Sequence, residues 1–169
     1  DKDIIQTERQ LCYEKLVRPN PLLPGVRAFL DEADELNVRL AIASSSTRQW
    51  IEDHLEPRGV LSRFSVVSTG DEARNKKPDP EIYLTAVRRL GIHPENAIAI
   101  EDSVNGLTAA KKAGIFCIAV PNLMTQEMDF GQADARVKSL ADISLIEMIE
   151  AASVKSGKDW SLPDRPGGG

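Results

Sequence analysis

Apolar residues follow two alternating rhythms along this chain. Short, mainly apolar runs, Val38–Ala43, Phe64–Val67, Ala97–Ile100 and Phe116–Val120, are bounded by turn residues. Such runs predict strands buried on both faces, the pattern of a parallel sheet. Between them apolar positions recur every three or four residues. In Val26–Leu36, the residues Val26, Phe29, Leu30, Ala33 and Leu36 share one helical face. In Pro80–Leu90, Ile82, Tyr83, Ala86, Val87 and Leu90 do the same, and Gly91 follows where helices favour a glycine. Val104–Ala113 carries Leu107, Ala110 and Ala113 and stops at Gly114. This alternation predicts an α/β fold, a doubly wound parallel sheet with right-handed crossovers.

The ends behave differently. Residues 4–17 form one helical pattern (Ile4, Ile5, Leu11, Cys12, Leu16), which runs into the proline-rich stretch Arg18–Gly25. That stretch is a hinge or linker before the sheet begins. The organisation expected is a helix and hinge over 1–20, an α/β core over 21–152, and a polar, disordered tail over 153–169.

With 169 residues the chain is long enough for one domain with a substantial core. Its formal net charge of −5 gives no electrostatic case for a nucleic-acid partner. The longest apolar stretch, Ile115–Val120, is far too short for a membrane span, and no membrane partner is expected. Cys12 and Cys117 both sit among apolar neighbours with no metal-ligand spacing. They read as buried free thiols in a reducing, cytoplasmic setting.

Three segments carry candidate chemistry. Ser44, Ser45 and Ser46 close the first strand and precede a helix starting near Thr47. Hydroxyls there cap free N–H groups, and they can equally donate to an anion at the positive helix end. Lys77 precedes Pro78 and is biased to extended backbone, which suits a cation projecting across a pocket. By itself, the Lys76-Lys77 pair reads as solvated surface. Glu101 and Asp102 end an apolar strand, where paired carboxylates are unfavourable unless something positive joins them. Mg²⁺, which takes oxygen ligands, is one answer, with Ser103 and Asn105 orienting the acids. An acidic helix N-terminus stabilised by the dipole is the other. His54, His93, Trp50 and Trp160 form no triad or stacking platform.

In order and spacing, these residues resemble the haloacid dehalogenase-like hydrolase superfamily, in its branch of sugar-phosphate phosphatases and β-phosphoglucomutase. The phrases KKPDPEIYLTAVRRLGI and IAIEDSVNGLTAAKKAG carry the resemblance, which covers residues 1–152. It implies a Rossmann-like core, with the last helix of a helical cap at residues 1–20. It implies that Ser44 and Lys77 are catalytic, that Ser44, Ser45, Ser46 and Lys77 bind phosphate, and that Glu101 and Asp102 bind Mg²⁺. The implied reaction is hydrolysis of a small phosphorylated metabolite through an aspartyl phosphate. A phosphomutase and a non-catalytic phosphate-binding remnant are the alternatives. The family's nucleophile motif, D-x-D-G-T at the end of the central strand, has no clear match. Asp1 and Asp3 have the spacing but no strand before them. The nucleophile is therefore expected on an N-terminal segment outside this chain. A gap in the sheet between Val38–Ala43 and Ala97–Ile100, or a separate peptide filling it, is expected with it.

Overall fold

In the computed structural model of the chain, residues 21–157 and 160 are described. The expectations placed on the helix over 4–17, on Cys12, and on Asp1 and Asp3 lie outside the described residues. Helices and strands then alternate as the periodicity predicts. Helix α1 (Val26–Glu35) is followed by β1 (Leu40–Ala43), α2 (Arg48–Leu55), β2 (Phe64–Ser68) and α3 (Glu81–Leu90). The chain continues through β3 (Ile98–Glu101), α4 (Val104–Lys112), β4 (Phe116–Ala119), the two-residue β5 (Ala135–Arg136) and α5 (Leu145–Ser156). Among the described residues, no helix is long and apolar enough to cross a membrane.

Helix α5 corrects the tail boundary drawn at residue 153, because the helix continues to Ser156. Its start is set by a capping box: the Ser144 side chain accepts from the Glu147 N–H, and the Glu147 carboxylate accepts from the Ser144 N–H. Its end is Gly157, in the left-handed conformation at φ 67°.

All strand pairings are parallel, and among the described residues they fall into two sheets. β1 pairs with β2, and β3 pairs with β4, which pairs with β5. Because strand side chains alternate in direction, β4 feeds both faces of its sheet. Phe116 and Ile118 pack with Phe29 and Ala33 of α1, with Leu36 just after it, and with Leu145, Met148 and Ala152 of α5. Cys117 and Ala119 pack with Tyr83 and Val87 of α3 and with Leu107, Ala109 and Ala110 of α4. Helices on both faces are what the apolar runs require, since such a strand has no side to offer water. Burial pushes the Cys117 thiol up to about 12, which suits an inert core residue.

The two sheets differ in how well they are covered. Every residue of β4 is buried, whereas every residue of β1 is only half-buried and Ile100 of β3 is 37% exposed. β1 and β3 each use one edge for pairing and carry no strand on the other among the described residues. The first and last described helices are joined. The Leu145 N–H donates to the Glu32 carboxylate of α1 at 2.6 Å. Ahead of α1, Gly25 at φ 84° lies so close to Leu140 and Ala141 that a Cβ would stand 2.2 Å from their backbone.

Candidate active site

The carboxyl end of β1 delivers the serine run. The Ser44 N–H donates to the Ser68 carbonyl, extending the β1–β2 ladder by one residue. Ser44 Oγ accepts from the Ser46 N–H at 3.1 Å, which leaves the hydroxyl proton uncommitted among the described residues. The expected cap role of the serines is corrected. Thr47, in extended conformation, caps α2 by accepting from the Trp50 N–H, because the cap residue is the last one before helical geometry begins. Gly70, just past β2, presses on this run: its N–H reaches the Ser46 carbonyl at 2.8 Å, and a Cβ there would stand 2.2 Å from the Ser45 oxygen.

The loop from β2 to α3 positions Lys77, and two carboxylates hold it. Glu72 accepts from Arg48 at 2.6 Å and from Arg89 at 2.7 Å, and both guanidinium groups also donate to the Val67 carbonyl. These charge-assisted bonds, Arg48 first, hold the Glu72 carboxyl below its usual range. Glu81, in the first turn of α3, accepts from the Arg74 and Asn75 N–H groups at 3.0 and 2.9 Å, which lowers its carboxyl too. Asp79 Oδ1 accepts from the Glu81 N–H at 2.9 Å and so starts the helix within the Pro78-Asp79-Pro80 turn. The Lys77–Pro78 peptide is cis.

Lys77 emerges from this loop between the two sheets. Its Nζ donates to the Ala43 carbonyl of β1 at 2.9 Å and to Glu101 Oε1 of β3. A trans peptide points its C=O and N–H in opposite directions. Since the Ser44 N–H faces β2, the Ala43 carbonyl faces away from it, along the free edge of β1. The ammonium therefore caps that edge and reaches across to the end of β3. Ser44 directly follows Ala43, and Asp102 directly follows Glu101, so each stands one residue from a group that this cation binds.

The adjacent acids take different environments, as neighbours at a strand end must when side chains alternate. Glu101 is 7% exposed, and all its partners are internal: Lys77 and the Tyr83 hydroxyl on Oε1, and the Ser103 hydroxyl on Oε2 at 3.2 Å. Gly106 makes room for it, since a Cβ there would stand 1.8 Å from Glu101 Oε2. Asp102 is exposed, and its Oδ2 accepts from Asn122 Nδ2 at 2.9 Å. Ser103 donates to Glu101 Oε2 and caps α4 by accepting from the Gly106 N–H. Asn105 is exposed in the first turn of α4, and the structure gives it no hydrogen bond to either acid.

Two residues at the site were not singled out from sequence. Tyr83 read as one more apolar position on the inner face of α3, and nothing in its spacing marks the hydroxyl. Asn122 lies in the loop after β4. Its own Oδ1 accepts from the Met124 N–H at 2.8 Å, which turns the Nδ2 donor toward Asp102. The strand-end position of that loop was the available signal.

A hard divalent cation is the metal this donor set suits. Among the described residues no three His, Cys, Asp or Glu side chains cluster as a complete cage. An exposed Asp102 is nevertheless the kind of ligand Mg²⁺ uses, since that ion takes one or two carboxylates and completes its shell with water and phosphate.

A model of the haloacid dehalogenase-like hydrolase family matches residues 3–120. YhcW of Bacillus subtilis is 37% identical over 149 residues, which cover 88% of this chain and 67% of YhcW. The phosphorylated carbohydrates phosphatase of Thermotoga maritima is 36% identical over 114 residues, 68% of this chain and 51% of that protein. A crystal structure of a CbbY variant from Rhodobacter sphaeroides in complex with Xylulose-(1,5)bisphosphate matches with a TM-score of 0.73 and 34% identity, over 86% of this chain and 67% of that one. The chain thus spans between about half and two thirds of the length of these relatives.

Proposed function

The chain belongs to the haloacid dehalogenase-like hydrolase family, and from that premise we propose that the protein carrying it is a Mg²⁺-dependent phosphatase of a small phosphorylated sugar. One observation carries the reading: the Lys77 ammonium, bound to Ala43 and Glu101, stands between the ends of β1 and β3 with Ser44 and Asp102 beside it. A phosphatase named for phosphorylated carbohydrates and a sugar bisphosphate complex among the relatives support the substrate class.

The nucleophile in this reading is an Asp carboxylate on a parallel strand from outside the described residues. That strand would lie between the free edges of β1 and β3, where the residues of β1 and Ile98 and Ile100 of β3 are only partly covered. Its carboxylate would attack phosphorus while the bond to the sugar oxygen breaks and the second acid of the D-x-D motif gives that oxygen its proton; the same acid would then take a proton from the attacking water, which releases orthophosphate and restores the nucleophile. Ser44 donates its hydroxyl proton to a phosphoryl oxygen, helped by the positive end of α2. Lys77 balances the charge gathered at the strand ends. Asp102 would hold Mg²⁺, which when bound neutralises charge on the transferring group. Glu101 is committed to Lys77 and Tyr83. The buried, free Cys117 is consistent with a reducing, cytoplasmic setting.

The test is the initial rate of the full-length protein on a panel of sugar phosphates, with and without Mg²⁺. D102N is expected to lose activity on the order of a hundredfold, because the neutral amide is a poor ligand for a hard cation. Undiminished turnover in D102N removes the metal role. No turnover of any sugar phosphate by the full-length protein overturns the reading in favour of a non-catalytic phosphate-binding module.

A further inference from the structure

Tyr83 touches both members of the buried ion pair. Its side chain is 7% exposed, and its hydroxyl donates to Glu101 Oε1 at 2.5 Å. The face of the same ring lies 4.7 Å from Lys77 Nζ, within the range of cation–π attraction. The ring therefore holds the cation while the hydroxyl holds the anion. Filling a hydrophobic core at this position needs only the ring. The hydroxyl needs a partner once buried, and the partner it finds is the carboxylate that already binds the lysine. Burial, then the Glu101 charge, pushes the phenol far above its usual range, so it remains a donor.

The surroundings of the ammonium follow by elimination. Ala43 of β1 takes one N–H at 2.9 Å and Glu101 of β3 takes a second. The Tyr83 ring closes the side toward α3. One N–H of the ammonium remains beyond these two hydrogen bonds. Without the hydroxyl, Glu101 Oε1 has Lys77 as its one strong donor and draws the ammonium toward itself. Without the ring, the ammonium loses its contact on the side toward α3.

We infer that Tyr83 is a positioning residue for phosphoryl transfer: it fixes Lys77 and Glu101 against each other so that the remaining lysine N–H is presented to the phosphate. This rests on the phosphatase reading above and adds a residue to it. A hydrogen bond to a charged group corresponds to about tenfold to a hundredfold in rate when its geometry is needed in the transition state.

The experiment measures kcat and KM separately for the full-length protein on a sugar phosphate. In Y83F, which keeps the ring, kcat falls about tenfold or more while KM changes less than about threefold. Y83L, which loses ring and hydroxyl, falls further. In a K77M background, Y83F has no additional effect, because Tyr83 acts through Lys77. A residue serving stability alone would give additive losses. Wild-type kcat in Y83F, or the same fractional loss with and without Lys77, overturns the inference. A second measurement needs no turnover. The hydroxyl proton of Tyr83, identified in the proton NMR spectrum by its loss in Y83F, shifts in both K77M and E101Q. A resonance unmoved by E101Q overturns the inference even if the protein proves not to be a phosphatase, and a shifted one upholds the contact while the phosphatase reading fails separately.

Discussion

Replacing Gly106 with alanine sets two effects of opposite sign against each other. In a helix interior, glycine to alanine stabilises by about 1 kcal/mol. Gly106 lies in the first turn of α4, at negative φ, so nothing in its own backbone forbids a side chain. The obstacle is the neighbour. A Cβ would stand 1.8 Å from Glu101 Oε2 and 2.1 Å from its Cδ, where ordinary contact begins near 3.4 Å. The carboxylate would have to retreat by about 1.5 Å, enough to break hydrogen bonds from Lys77, Tyr83 and Ser103. A hydrogen bond to a charged group contributes about 1.5–3 kcal/mol, and breaking a buried ion pair costs about 3–5 kcal/mol. One lost bond already exceeds the gain in propensity, so G106A should destabilise the chain by about 2–4 kcal/mol. Urea unfolding followed by circular dichroism measures this as a lower midpoint with an unchanged slope. In an E101A background the clash is gone, and the same substitution should become neutral or stabilising. A G106A protein as stable as the parent, with Glu101 present, would refute the reasoning.

Acid stability and metal affinity offer two further checks. Glu72 is held low by Arg48 and Arg89, and Glu81 by the Arg74 and Asn75 N–H groups. A carboxyl depressed in the folded state adds stability above its ordinary value, near 4.5, and loses it as pH falls through the lower folded value. The melting temperature should therefore drop on acidification below about pH 4.5, and E72Q should flatten part of that drop; an unchanged slope counts against the network. Asn122→Ala removes the amide that orients Asp102, so the Mg²⁺ needed for half-maximal turnover of the full-length protein should rise about tenfold, with kcat at saturating metal preserved. A metal dependence identical to the parent's would show that Asn122 does not tune the site.

What the sequence made legible was periodicity and strand-end chemistry. β1 to β4, α1, α3 and α4 lie within a few residues of their apolar patterns, because burial on one or both faces leaves a repeat that survives in a single sequence. β5 is two residues long, too short to carry a pattern. Ser44, Glu101 and Asp102 stood out because polar groups ending apolar runs are conspicuous, whereas Lys77, in a polar loop, stood out only by its place before Pro78 and by the resemblance. Their division of labour did not. That Glu101 turns inward and Asp102 outward depends on which face of β3 meets α3. The tyrosine hydroxyl was hidden for a similar reason: a residue of the right period reads as core, and only three dimensions show what its polar tip meets. The serine caps were misplaced by a few residues, since Ser46 and Thr47 are chemically equivalent until the first helical turn is located.

The link between Glu32 and Leu145 bears on how the chain is made. The two residues are 113 positions apart, and they join the first described helix to the last. At about 5–20 residues per second, a ribosome needs about 6–23 s to travel from one to the other. During that interval α1 has emerged, while Leu145, Met148 and Ala152 do not yet exist to cover Phe29 and Ala33. The strand–helix units between them can close sequentially on neighbours already present. Helix α1 meets β4 once Phe116 and Ile118 have emerged, but the side of it that packs on α5 stays open until Leu145, Met148 and Ala152 follow. A nascent-chain truncation series should show protease resistance at α1 arriving last, after α5 has cleared the exit tunnel.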